Sequence, residues 1–283
     1  MDTKLAARYG ALSARLKQAA DYVVENPLDA TTRSLRAVAN DSGLPPATFS
    51  RMARAIGYGS FEDLREDMRR SLGRRVSSFS QRAERLRADH GGDTGAFLSA
   101  HMEACIANIR SLGTGIDPSR LEATVERLHR ARRVVLLGGL GSSGVVEHLS
   151  YVANFFRESW EVAGRGGASM GGALGGLGPQ DAVILVTKPP FATRPIRAAE
   201  LAREQGAYVV VITDTHACPA LPFASQGFIV PSESPHFFSS YAATLFLLET
   251  IAGLLAVRAG PEGQRRIAAV EERNRRLEEV RDG

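Results

Sequence analysis

Apolar positions in the first 75 residues recur at helical spacing. Leu12, Leu16, Ala19, Ala20, Val23 and Val24 mark one face of a helix. It stops at Asn26-Pro27, because the residue before a proline is pushed out of the helical region. Leu35, Val38 and Ala39 mark a second short helix within Arg33 to Asn40. Gly43 then suits a backbone position with positive φ. A third helix runs from about Pro46 to Ile56, with a proline in its first turn, where the missing N–H costs nothing. Its Phe49, Met52, Ala53 and Ile56 fall at i, i+3, i+4 and i+7 and face the core. Gly57-Tyr58-Gly59 ends it, and Ser60 caps a helix from Phe61 to Leu72. Residues 76–95 read as a helical extension and then a glycine-rich linker. A helix Ala96 to Leu112 follows, and Asp117-Pro118 starts another.

From Arg133 the period changes. Val134 to Leu137, Ala182 to Val186 and Tyr208 to Ile212 are continuous apolar runs, separated by helical stretches at Ser142 to Arg157 and Thr193 to Gln205. Such alternation means a parallel sheet covered on both faces. A helix pair, Phe237 to Val257 and Pro261 to Val280, closes the chain. The stretch Gly164 to Gly178 holds eight glycines in 15 residues and carries no clear pattern. The expected class is α plus α/β: an all-helical domain over residues 1–75, an extension and linker over 76–95, and an α/β domain with a mainly parallel sheet over 96–283.

Composition narrows the function. The 283 residues are 44% hydrophobic and 23% charged, ordinary for a globular protein. No apolar run approaches the ~20 residues of a membrane helix, and no secretion signal is visible. Two cysteines, Cys105 and Cys218, are too few for a disulfide framework, and the six histidines show no metal-ligand spacing. The expected location is the cytoplasm, with no cofactor and no metal. Residues 1–87 carry 16 Lys+Arg against 10 Asp+Glu, whereas the remainder is close to neutral. A basic N-terminal third suits a polyanionic partner. Only Lys4, Lys17 and Lys188 are lysines, which makes Lys188 conspicuous.

Two short helices around a glycine turn form the helix-turn-helix plan. The ridge opposite the core face of the third helix carries Ala47, Arg51 and Arg54, flanked by Thr48 and Ser50. Small residues at its start admit it to the major groove, where arginine pairs with guanine or phosphate and Thr or Ser touches base edges. The segment LRAVANDSGLPPATFSRMARAIGYGSFEDLR, with Gly43, Ala47-Thr48, Arg51, Gly57-Tyr58 and Phe61, resembles the N-terminal domain of the MurR/RpiR family of bacterial transcriptional regulators. The resemblance implies DNA binding. Pro45 stands where that family usually has a Ser cap, so this helix start must be held differently.

Leu136 to Gly144 reads as a strand, a glycine-rich turn and a helix start. Gly139 and Gly141 let the backbone approach a ligand, and Ser142 and Ser143 add hydroxyls beside free helix N–H groups. A dinucleotide-binding turn competes, since Gly139, Gly141 and Gly144 satisfy G-x-G-x-x-G and Glu158 or Glu161 could serve as the ribose acid. The following strand candidate, Trp160-Glu161-Val162, is short and poor. GGLGSS also resembles the first phosphate loop of the sugar isomerase (SIS) fold, and DAVILVT, AAELAREQGAYVVVIT and ESPHFFSSYAATLFLLE extend the likeness. That resemblance implies a domain that binds a phosphosugar or related metabolite and alters DNA affinity. SIS domains usually carry a second loop, Ser-x-Ser-Gly-x-Thr. Here Thr187, Pro189, Pro190 and Ala192 occupy its four pattern positions. Prolines remove backbone donors. Lys188, Thr193 and Arg194 are the expected replacements, with Ser232, Glu233 and Ser234 on the same cleft. The expected ligand is a sugar phosphate, a sugar derivative or another small anion.

Glu147, His148 and Glu233 match no catalytic pattern, so an enzyme is not expected. The partners expected are a double-stranded DNA operator, the small effector and a second copy of the chain, with a tetramer as the alternative; no membrane is expected. Two rival readings are a phosphosugar isomerase with a helical appendage, and a DNA-binding protein whose SIS domain is only a dimerisation scaffold.

Overall fold

The computed structural model describes residues 4, 5, 8–76 and 78–280. Residue 77, inside the expected extension, and 281–283, at the end of the expected α/β domain, lie outside the described residues. The chain divides into two compact units. One is Met1–Ile116 with the short stretches Thr215–Ala217 and Ile229–Ala243. The other is Asp117–Asp214, Cys218–Phe228 and Thr244–Gly283.

The first unit is helical. Helix α1, Ala14–Glu25, buries Ala19, Ala20 and Val23 and ends at Asn26, as the proline requires. The chain then restarts at once as α2, Pro27–Thr32, with the proline as first helical residue. Ser34 caps α3, Leu35–Ser42, its Oγ accepting from the Ala37 N–H at 3.2 Å. Gly43 sits at φ 69° and ends α3, while the Leu44 N–H donates back to the Ala39 carbonyl at 3.2 Å. Helix α4, Pro46–Ala55, buries Phe49, Met52 and Ala53, and Ile56 just beyond it, at no more than 1% exposure each. Phe49 anchors this core, edge-on to Tyr22 and to Phe61 at 6.2 and 5.8 Å. Truncating such a ring costs about 3–5 kcal/mol.

Helix α5, Phe61–Val76, is followed by α6, Phe79–His90, whose start carries a capping box between Ser78 and Gln81. The expected glycine-rich linker is only a tight turn: Asp93 already caps α7, Thr94–Gly115, accepting from the Ala96 N–H at 2.9 Å. Phe79 of α6 stacks on Phe238 at 5.1 Å and meets Phe237 edge-on at 6.2 Å.

The second unit is a five-stranded sheet. Asp117 caps α8, Pro118–Arg130, as expected. Strand β1, Val134–Gly138, leads to α9, Ser143–Asn154. Strand β2, Trp160–Val162, is real though short; it pairs in parallel with β1 at the sheet edge. The glycine-rich stretch holds a short helix α10, Met170–Leu174. Then come β3 (Ala182–Val186), α11 (Thr193–Glu204), β4 (Tyr208–Thr213) and β5 (Gln226–Ile229). The strand order is β2-β1-β3-β4-β5, with β1/β3 and β3/β4 parallel. Val135, Leu137, Val183, Leu185, Val209 and Val211 pack with Ile196, Ala198, Ala199 and Ala202 of α11. The alternate residues Val134, Leu136, Ile184, Val210 and Ile212 are also fully buried, so both faces are covered. Asp181, buried before β3, takes a two-pronged bond from Arg132 at 2.7 and 3.0 Å and a third from the Gly178 N–H at 2.9 Å.

The last helical span, α12, is Ala242–Arg276, broken at Gly260 (φ 56°, ψ −148°). It begins five residues later than the expected Phe237. By length and composition it is the one helix among the described residues long and apolar enough to cross a membrane, which no unbroken apolar run had announced. Its Leu247, Leu248, Ile251 and Leu255 are buried at 1% exposure or less.

Candidate functional site

In the first unit, α3, the Gly43 turn and α4 make the helix-turn-helix. Ala47, Arg51 and Arg54 are exposed on α4 and Ser50 is half-buried. Arg51 Nε donates to the Ala47 carbonyl and Arg54 Nε to the Gly59 carbonyl, both at 3.4 Å. Thr48 departs from the expectation. It is 1% exposed, and its Oγ1 has no hydrogen-bond partner among the described residues. Position 48 lies next to the Phe49–Met52 ridge, so its side chain turns inward rather than toward a base edge. The missing Ser cap is explained here too: the Pro45 carbonyl takes the Thr48 N–H at 2.8 Å, doing with backbone what a side chain does elsewhere. Lys4, which no pattern had singled out, donates to the Gly57 carbonyl at 3.4 Å and sits 4.0 Å over the Tyr58 ring.

In the second unit the strand order reverses between β1 and β3. Open α/β sheets offer a ligand crevice at the carboxyl ends of the strands at such a reversal. The two loops singled out in the sequence leave from there. They touch: a Cβ on Gly139 would lie 2.6 Å from the Ala192 Cβ, so only glycine fits. A Cβ on Gly138 would lie 2.8 Å from the Ser142 carbonyl oxygen. Leu140, 66% exposed, adopts φ 53°, a left-handed conformation unusual for its type. Gly141 is exposed, Ser142 is buried and Ser143 opens α9 half-buried.

Thr187 is buried, and its N–H is committed to the Ile212 carbonyl at 3.0 Å as a continuation of the ladder. Lys188 follows at 5% exposure. Burial lowers its pKa from 10.5 to about 8, with the Asp214 carboxylate at the end of β4 acting against that fall. Asp214 was not legible from sequence: it reaches Lys188 only because β3 and β4 are neighbours. Thr193 and Arg194 are exposed at the start of α11.

Ser232, Glu233 and Ser234 belong to the first unit. There Asn108 of α7 holds Glu233 by its backbone in both directions, donating to its carbonyl at 2.7 Å and accepting its N–H at 3.2 Å. Ser234 Oγ accepts from the His236 N–H at 3.1 Å. Glu147 pairs with Arg165, and His148 with Glu249 at 3.6 Å.

The SIS domain model matches residues 127–253. The regulator HexR of Pseudomonas aeruginosa is 25% identical over 211 residues, covering 74% of this chain and 72% of its own. An uncharacterised HTH-type transcriptional regulator of Haemophilus influenzae is 24% identical over 275 residues, 94% of this chain and 91% of its own. Among solved structures, the sugar isomerase domain of an RpiR transcription factor from Sphaerobacter thermophilus covers 61% of this chain and 96% of its own, at 22% identity and TM-score 0.57. The Vibrio vulnificus NanR protein complexed with ManNAc-6P covers 94% of each chain, at 20% identity and TM-score 0.54. Residues 127–253 thus carry a SIS domain, and most of the chain is similar to proteins named as HTH-type transcriptional regulators.

Proposed function

We propose that this protein is a cytoplasmic DNA-binding regulator that senses a small sugar-related anion, a sugar phosphate first among them, in the crevice between β1 and β3. The observation that carries the reading is the meeting of the Gly139–Ser143 loop with the loop that begins at the buried Lys188. The crevice offers an anion two helix N-termini, the Ser142 and Ser143 hydroxyls and a lysine charge close by. Arg194 adds charge at the rim. The ManNAc-6P held by NanR supports a phosphorylated sugar as the ligand class. Lys188 stands in for the hydroxyl-rich second loop that Pro189 and Pro190 have displaced.

DNA reading is assigned to residues 1–75, with Arg51 and Arg54 on bases or phosphate and Ala47 and Ser50 at close approach. Residues 76–95 connect, and 96–283 bind effector and dimerise. The inward-facing leucines of α12 support a core role for that helix rather than a membrane span. The regulator works without catalysis or cofactor, as a homodimer on half-sites about 34 Å apart.

The test pairs gel shifts with calorimetry on the full chain. Arg51→Ala should weaken operator binding by about 1–3 kcal/mol if Arg51 reads a guanine. Sugar phosphates, ManNAc-6P included, should bind and should change the operator affinity. An unchanged affinity in Arg51→Ala would refute the DNA assignment. Binding that ignores Ser142→Ala would refute the crevice.

A further inference from the structure

A second cavity lies at the opposite end of the same sheet. It opens where α8 runs into β1 and where residues 155–159 run into β2, so it sits at the amino ends of the strands, away from the effector crevice. Its volume is about 930 Å³. Five arginines line it, Arg157, Arg258, Arg265, Arg266 and Arg273, against two glutamates, Glu158 and Glu262.

The question is how much of that charge is already neutralised. Arg266 pairs with Glu158 and also donates to the Asn154 carbonyl at 3.0 Å. Arg258 pairs with Glu122 and, at 3.7 Å, with Glu126. Arg157 has only neutral partners: it donates to the His129 carbonyl at 2.8 Å and meets His129 Nδ1 at 2.7 Å. Burial, and then Arg157 itself, lower the His129 pKa, so this imidazole stays neutral at pH 7 and accepts. Among the described residues no carboxylate pairs with Arg157, Arg265 or Arg273. Three guanidinium groups therefore face one cavity without an ion-pair partner, and the lining carboxylate of Glu262, itself in no ion pair among the described residues, offsets only one of the three charges. Gly260 adopts a conformation that only glycine takes readily, and Pro261 restarts the helix there. Glu262 and Gly263 in that restarted turn line the cavity, so the start of the second half of α12 lies beside the arginines.

We propose that this cavity is a second anion site, distinct from the effector crevice, for a compact ligand carrying several linked phosphate groups. Guanidinium forks match phosphate oxygens in pairs. Three forks without an ion-pair partner offer more paired donors than the oxygens of one phosphate group can take. A concave site of this size suits a small molecule rather than the convex backbone of a duplex. Bound ligand would clamp α8, the approach to β2 and both halves of α12 together.

The experiment is titration calorimetry on the full-length chain with inorganic tripolyphosphate, and orthophosphate as comparison. Tripolyphosphate should bind once per chain and orthophosphate at least about tenfold more weakly. The double variant R265A/R273A should lose about 100-fold, tenfold for each charge-assisted contact. Both side chains are exposed, so a melting curve should confirm an intact fold. If it does not, R265K/R273K, which keeps the charge but loses the fork, must still weaken binding. Ser142→Ala must leave tripolyphosphate binding in place. The proposal falls if tripolyphosphate does not bind, if R265A/R273A binds it normally, or if Ser142→Ala abolishes binding, which would put the ligand in the effector crevice. It falls equally if a short DNA duplex displaces tripolyphosphate and R265A/R273A weakens duplex binding, since the arginines would then be serving nucleic acid.

Discussion

Replacing Lys188 by methionine removes a charge from a 5% exposed position while nearly preserving volume. The fall of its pKa from 10.5 to about 8 measures how strongly the folded chain disfavours the ammonium form. At 1.36 kcal/mol per pH unit this is about 3 kcal/mol. Methionine escapes that cost, from which the Asp214 attraction has already been subtracted. The gain is up to about 3 kcal/mol, a rise in Tm of up to about 6–12 °C for a unit of this size. The same variant should bind sugar phosphates much more weakly, because stability has been exchanged for a binding charge. pH gives an internal control. The folded pKa lies below the unfolded one, so the unfolded chain holds the extra proton between about pH 8 and 10.5. Wild-type stability should therefore rise across that window, and Lys188→Met should lose the rise. Melting curves from pH 7 to 11 and a binding titration at pH 7 check both. A lower Tm in Lys188→Met, or undiminished sugar-phosphate binding, would refute the reasoning.

Two further outcomes follow from buried polar groups. Thr48→Val removes a hydroxyl that has no partner among the described residues, so it should stabilise the first unit by up to about 1 kcal/mol and leave operator affinity unchanged in a gel shift; a loss of base discrimination would restore Thr48 to the DNA interface. Asp181→Asn weakens the Arg132 pair and should cost about 2 kcal/mol in urea unfolding. The Arg132 hydrogen bonds hold the Asp181 pKa below its ordinary value of 3.8, so the wild type should lose this contribution only as pH falls below about 4, whereas Asp181→Asn should show no such loss.

Periodicity was enough wherever one face of an element decides its fate. Phe49, Met52 and Ile56 went to the core, and Val134, Ala182 and Tyr208 began the parallel strands. It failed where one residue sits beside such a face: Thr48, one step from Phe49, looked as exposed as Ala47 but is buried. A short element also escaped: the six residues of α2 carry too little pattern. The strand candidate Trp160–Val162, poor by itself, is completed by its pairing with β1. The candidate crevice was half legible. The glycine loop and the displaced second loop stand in the sequence, but the burial of Lys188 and the presence of Asp214 depend on strand neighbours. The arginine cavity was not legible at all, because its walls come from residues 129, 157–158 and 258–273, and no local spacing links them.

The way the chain is shared between the units bears on how it can be cut. The segment Ile229–Ala243 is counted with the N-terminal helices, although more than a hundred residues separate it from Ile116. A recombinant fragment ending at residue 116 would keep Phe79 but lose the Phe237 and Phe238 rings that cover it. It would also leave Asn108 without the Glu233 backbone it binds. Such a fragment should be sticky and poorly soluble. A shorter one ending within α5 should behave better as an isolated DNA reader, because the core around Phe49 draws only on residues 5–68. Domain dissection of this protein is therefore best guided by which aromatic surfaces a cut would strip, and less by where the chain turns from helix to strand.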